Sequence, residues 1–146
     1  MNTRAQRLAD LNEIRELKSR YCRFVDGGYP SARDDSAAFA DLFAPDGVWE
    51  TGGEPTVGRD AIRERAASSR RFRFHLAANP IVDVDGDRAQ GLWHVLVAVT
   101  GSGGAAAWLA GRYADELVRT ADGWRFAAVR FEAAFHAPYD VGWSPQ

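Results

Sequence analysis

The chain is 146 residues long, 46% hydrophobic, and carries a formal net charge of −2. That length suits one domain burying roughly 70% of its unfolded surface, so the fold requires no metal or disulfide staple. The charge leaves no electrostatic footprint for nucleic acid, and the single cysteine, Cys22, excludes an internal disulfide and any multi-cysteine zinc or iron–sulfur framework.

Residues 6–26 read as a helix, because Leu8, Leu11, Ile14, Leu17, Tyr21, Phe24 and Val25 recur every three or four positions. Gly27-Gly28 stops it, and Tyr29 to Asp35, with Pro30, forms a loop. A shorter helix is predicted over 36–43, with Phe39, Leu42 and Phe43 inward. The turn Ala44-Pro45-Asp46-Gly47 then leads into a short strand over 48–50. After a Gly/Pro-rich loop over 51–58, a third helix carries Ala61, Ile62 and Ala66 on its inner face.

The hydrophobic period then changes to that of strands. Segments 72–84, 89–100, 107–119 and 124–135 read as long strands, punctuated by Asp85-Gly86, Gly101 to Gly104 and Asp122-Gly123. Residues 136–146 read as a tail whose Tyr139 and Trp143 pack over a pocket mouth or onto a neighbouring subunit. Helices followed by an antiparallel meander define an α+β chain. The expectation is a single domain over 1–146, with a curved sheet wrapped around about three N-terminal helices and enclosing one apolar pocket.

No apolar run reaches the roughly 18 residues of a membrane span, and Met1-Asn2-Thr3-Arg4 lacks a signal-peptide pattern. These features point to a cytoplasmic protein with no membrane partner, in which Cys22 is a small buried residue. The basic cluster Arg63, Arg65, Arg70, Arg71 and Arg73 reads as a solvated helix face and strand start. Arg112 and Asp115 read as a surface or structural pair. No Gly-rich phosphate loop, HExxH helix or serine nucleophile elbow occurs.

Several segments together resemble one family. They are Arg20-Tyr21 with Val25-Asp26-Gly27, Leu42 through Glu50, Gly58-Arg59-Asp60-Ala61-Ile62, and His75 with Asn79-Pro80. Further matches are Val84 through Ala89, Gly111 through Glu116, and Asp122 through Arg125. This pattern is similar to the SnoaL-like branch of the nuclear transport factor 2-like superfamily, over residues 6–135. The resemblance implies a cone-shaped, cystatin-like roll, a homodimer or homotrimer, no cofactor and no metal.

Within that branch the chain most resembles scytalone dehydratase and bile-acid 7α-dehydratase. The resemblance places their functional tyrosine, aspartate and histidine at Tyr21, Asp26 and His75, with His94 as a second histidine. Dehydration beside a carbonyl needs a base for the α-proton, a donor to the carbonyl oxygen and an acid for the departing hydroxyl. Histidine can act as base and then acid, a carboxylate on its other nitrogen fixes the tautomer, and a tyrosine hydroxyl can stabilise the enolate. This requires the Asp26 carboxylate within about 3.2 Å of a His75 nitrogen.

Trp49, Phe74, Trp93, Trp108 and Arg112 are the expected substrate-binding residues. Thr51 stands where ketosteroid isomerase has its base, and Glu50 points to the other face by strand alternation. The 89–100 strand lacks the carboxylate of limonene epoxide hydrolase. The sequence therefore favours a cofactor-free dehydratase acting on an apolar, carbonyl-bearing small molecule. A polyketide or terpenoid cyclase or isomerase using the same pocket is one alternative, and a non-catalytic binding or accessory protein is another.

Overall fold

The computed structural model describes residues 3–27, 29, 35–68 and 71–144; Gly28, Pro30 and Arg70 of the sequence reading lie outside them. Helices α1 (Arg4–Val25), α2 (Ser36–Ala40) and α3 (Arg59–Ser68) pack against one six-stranded sheet. Its strands are β1 (Phe43–Glu50), β2 (Thr56–Val57), β3 (Arg73–Asp85), β4 (Arg88–Thr100), β5 (Ala106–Thr120) and β6 (Gly123–Pro138). The sheet order is β2-β1-β6-β5-β4-β3. All neighbours are antiparallel except β1 and β6, which run parallel, so the sheet is mixed. Among the described residues, no helix is long and apolar enough to cross a membrane.

Thr3 caps α1 by accepting a hydrogen bond from the Gln6 amide at 3.1 Å. The buried face of the helix is Asp10, Ile14, Leu17, Lys18, Tyr21 and Cys22. It is rotated from the stripe expected from hydrophobicity alone, because Leu8 is exposed while Asp10 and Lys18 are buried. Each of those charges meets a partner on the sheet, which is the condition for burying it. Asp10 takes the Arg119 guanidinium at 2.8 Å and the Trp124 indole N–H at 3.2 Å. The Arg119 hydrogen bond lowers the Asp10 pKa, burial opposes it, and the Trp124 bond adds to the lowering. The stability this carboxylate contributes is present above the ordinary carboxylate range and is lost as pH falls through its lowered folded value.

Lys18 meets Asp115 at 2.9 Å, with both side chains almost wholly enclosed. Its ammonium also lies 3.6 Å from the centroid of the Tyr113 ring. Arg112, expected beside Asp115, instead points outward and pairs with Glu132 at 2.6 Å.

The helix end explains how α1 meets the sheet. Asp26 is already extended (φ −68°, ψ 138°), and its amide still donates to the Cys22 carbonyl. The next amide, of Gly27, donates to the Arg73 carbonyl at 3.0 Å. A Cβ on Gly27 would lie 2.5 Å from the Arg71 carbonyl oxygen, so only glycine permits this approach. The sequence stop signal thus also seats Asp26 against the start of β3.

Two kinds of irregularity set which residues face inward. In β3, a bulge between Ala78 and Ile81, with Asn79 at φ 52°, shifts the inward positions from Arg73, His75 and Ala77 to Val82 and Val84. In β6, register shifts opposite Glu116/Leu117 and Ala110/Gly111 each insert one residue. The second is possible because Gly111 has no side chain: a Cβ there would meet the Glu132 carbonyl at 2.1 Å. The strand continues to Pro138, so the tail is shorter than expected and His136 is a strand residue.

Tyr139 and Trp143 pack on the sheet's outer side, against Trp108 and Phe135, with ring centroids 6.4 and 5.4 Å apart. They do not cover the cavity mouth.

Candidate active site

The concave side of the sheet, α1 and α3 enclose a cavity of about 610 Å³. Its apolar wall is Val25, Val97, Val99, Leu109 and Phe131. Its polar wall includes Tyr21, Thr51, Arg65, Arg71, Arg73, His75, Tyr113 and His136. The pocket is therefore amphipathic and not the purely apolar one expected. Three arginines read as a solvated face line it instead. A smaller cavity of about 230 Å³ lies behind His75, lined by Lys18, Cys22, Asp26 and Trp93 among others.

His75 faces the large cavity because β3 alternation places it between the exposed Phe74 and Leu76. Its Nδ1 lies 2.8 Å from Asp26 Oδ1, and its backbone N–H donates to the same oxygen at 2.8 Å. The carboxylate only accepts, so Nδ1 carries the proton and Nε2 is left with its lone pair. Both side chains are about nine-tenths buried, which holds the pair in one geometry.

Tyr21 is fully buried beside this dyad and lines the same cavity. Its hydroxyl oxygen accepts the Trp49 indole N–H at 2.9 Å, and it is also hydrogen-bonded to Tyr113. Burial pushes the hydroxyls of both tyrosines up, so they remain proton donors through the alkaline range. A donor already oriented by Trp49 needs little reorganisation when charge develops on a nearby oxygen.

The structure brings Tyr21, Asp26, His75 and Trp49 together. His94 is outside this group: β4 turns Ala89, Gly91, Trp93, Val95 and Val97 inward, so His94 is exposed on the outer face, with Asn79 Nδ2 3.4 Å from its Nδ1. The second histidine that lines the cavity is His136. Phe74 and Arg112 also point outward, and Trp108 packs near Tyr139 on that side. Trp93 is buried but lines the smaller cavity.

The sequence reading missed Arg65, Tyr113 and His136. Arg65 follows Ile62 by three residues, so helical spacing places it on the buried face of α3. Tyr113 alternates with Asp115 and Leu117, all buried. His136 shares the parity of the inward Trp124 and Phe126, which the two β6 insertions together preserve, but the sequence reading ended the strand at residue 135 and placed His136 in the tail.

Cys22 is buried behind the dyad, and burial pushes its thiol up to about 11. At pH 8 only about one molecule in a thousand carries the thiolate that reacts. The native protein is therefore expected to resist Ellman's reagent for hours at pH 8 and to react stoichiometrically in 6 M guanidinium. Rapid native labelling would contradict this placement.

These features define a cystatin-like fold with a His–Asp pair opening on an amphipathic cavity. A model of the SnoaL-like domain matches residues 6–130, and the chain belongs to that family, within the nuclear transport factor 2-like superfamily. No curated protein matches the sequence.

Among solved structures, the chain is similar to an aromatic ring hydroxylase-like protein of Novosphingobium aromaticivorans. Identity is 27% and the TM-score 0.78, covering 90% of this chain and 94% of that one. It is also similar to a scytalone dehydratase-like protein of the same bacterium, at 19% identity and TM-score 0.75, covering 95% and 97%. A third similar structure is the hexachlorocyclohexane dehydrochlorinase LinA-type3 of Novosphingobium barchaimii, at 20% identity and TM-score 0.77, covering 96% and 97%. The last two likenesses show the fold alone.

Proposed function

We propose that this chain is a dehydratase-type lyase that uses its own side chains as acid and base. The observation that carries the reading is the 2.8 Å contact between His75 Nδ1 and Asp26 Oδ1 beside a cavity that Tyr21 also lines. His75 Nε2 takes the proton α to a carbonyl, and Asp26 stabilises the resulting imidazolium. Tyr21 donates to the carbonyl oxygen as it gains charge. The β carbon–oxygen bond then breaks, and the His75 proton passes to the departing hydroxyl. Water and an α,β-unsaturated carbonyl product leave, and the neutral dyad is restored. The likenesses to a scytalone dehydratase-like protein and to a dehydrochlorinase agree with elimination, since both names denote loss of a small leaving group.

The test is a panel of β-hydroxy ketones and β-hydroxy acids followed by proton NMR in D₂O. Vinylic product or α-proton exchange from at least one compound, abolished in His75→Ala, is the expected result. Neither signal from any compound would contradict the reading.

The reading also includes self-association. Leu76 pairs across strands with Leu96, and Ile81 with Leu92, and all four are exposed on the outer face of the sheet. Such an apolar row favours a second copy of the chain as its cover. Light scattering is expected to give a dimer or trimer for the native chain and a smaller species for Leu96→Glu; a native monomer would contradict this.

A further inference from the structure

The described residues lining the large cavity include three arginines and two histidines but no carboxylate. Arg65 is the most constrained of these. Its guanidinium carbon lies 4.4 Å from the Trp49 ring centroid. Its Nη1 donates to the Trp49 carbonyl at 3.1 Å and the Thr56 hydroxyl at 2.9 Å, and its Nη2 to the Thr51 hydroxyl at 3.3 Å. Those three bonds leave the Nε–H and one Nη2–H without an acceptor among the described residues. That edge of the guanidinium matches the two oxygens of a carboxylate. No described carboxylate lines the cavity beside Arg65 and Arg71.

A half-buried, oriented cation with an open edge is an anion subsite whose protein part is already ordered. We propose that the substrate is an organic acid, its carboxylate held by Arg65 and Arg71 and its apolar body lying along Val97, Val99, Leu109 and Phe131. The His75–Asp26 dyad then acts on a carbon further along the same molecule. This deepens the dehydratase reading by naming the substrate class.

The experiment is isothermal titration of 1-naphthoate and of 1-naphthamide, its neutral analogue of the same shape. The naphthoate is expected to bind at least tenfold more tightly, and 0.5 M NaCl to erase most of that preference. Arg71→Gln is expected to weaken naphthoate about fivefold or more and leave the amide unchanged. Arg65→Gln is expected to do the same more strongly. Because Arg65 also braces Trp49, Arg65→Lys, which keeps the charge and loses the fork, is the companion variant, with its fold checked by circular dichroism.

Equal affinity for acid and amide, no binding of the naphthoate, or naphthoate affinity indifferent to both arginines overturns the proposal. His75→Ala separates the two readings. It is expected to retain naphthoate binding, so a failed dyad shows as persistent turnover in that variant, whereas a failed subsite shows as lost charge preference in the native protein.

Discussion

Turnover in His75→Ala is expected to fall by about a thousandfold, within the range for removal of a positioned general base, in protein whose fold is checked by circular dichroism, because the variant also removes a buried ring and one partner of the Asp26 carboxylate. The ring presents Nε2 as the base because Nδ1–H is held by Asp26. Removing the ring removes the base, while the Asp26 carboxylate keeps the His75 backbone N–H as a partner. Asp26→Asn is a finer probe. One Asp26 oxygen accepts both the His75 backbone N–H and Nδ1–H, each at 2.8 Å. An asparagine Oδ1 at that point can accept both bonds and keep the tautomer. What it lacks is the charge that stabilises the imidazolium, so Asp26→Asn is expected to cost about a hundredfold. Asp26→Ala, which frees the ring, is expected to approach the His75→Ala value. If Asp26→Asn and Asp26→Ala were both as active as the native protein, the carboxylate would have only a structural part.

The largest effect on stability is expected at Lys18. Its ammonium is buried against Asp115 at 2.9 Å and under the Tyr113 ring. Burial pushes the Lys18 pKa down and Asp115 draws it back; burial likewise pushes the Asp115 carboxyl up. Each charge is tolerable because of the other. Lys18→Met leaves an uncompensated buried carboxylate and is expected to cost about 3–5 kcal/mol in urea denaturation. The double variant Lys18→Met/Asp115→Leu removes both charges and is expected to lose far less than the sum of the single changes. Strict additivity would show that the pair is not coupled in the folded chain.

The long strands were legible in the sequence because their turns are strongly marked, Asp85-Gly86 and Asp122-Gly123 above all. The helix stop at Gly27 was legible too, whereas the closeness of Asp26 to His75 came from the family resemblance alone. The directions of individual strand residues were harder to read. His94 lies in a strand whose outer face carries the exposed Leu92 and Leu96, so hydrophobicity marks both faces alike and cannot orient it. Phe74 and Trp108 were misplaced for the same reason.

His136 illustrates a different obstacle. Each of the two inserted residues in β6 flips the alternation, so Val129 and Phe131 face inward between them and His136 regains the inward parity of Trp124 and Phe126; the obstacle was the end of the strand, placed at residue 135, one residue short of His136. Lys18 and Arg65 were passed over because charges are usually solvated. Their helical spacing from Tyr21 and Ile62 was the available signal, and the partners that make their burial tolerable are distant in sequence.

The central claim is that His75, oriented by Asp26, removes a proton from carbon inside this cavity. The most direct measurement is the ring-opening elimination of 5-nitrobenzisoxazole, which needs one base and no knowledge of the natural substrate, followed by the absorbance of the phenolate product. A saturable rate above buffer in the native protein, reduced to the buffer rate in His75→Ala and intermediate in Asp26→Asn, is the predicted result. The same rate in all three proteins would contradict it.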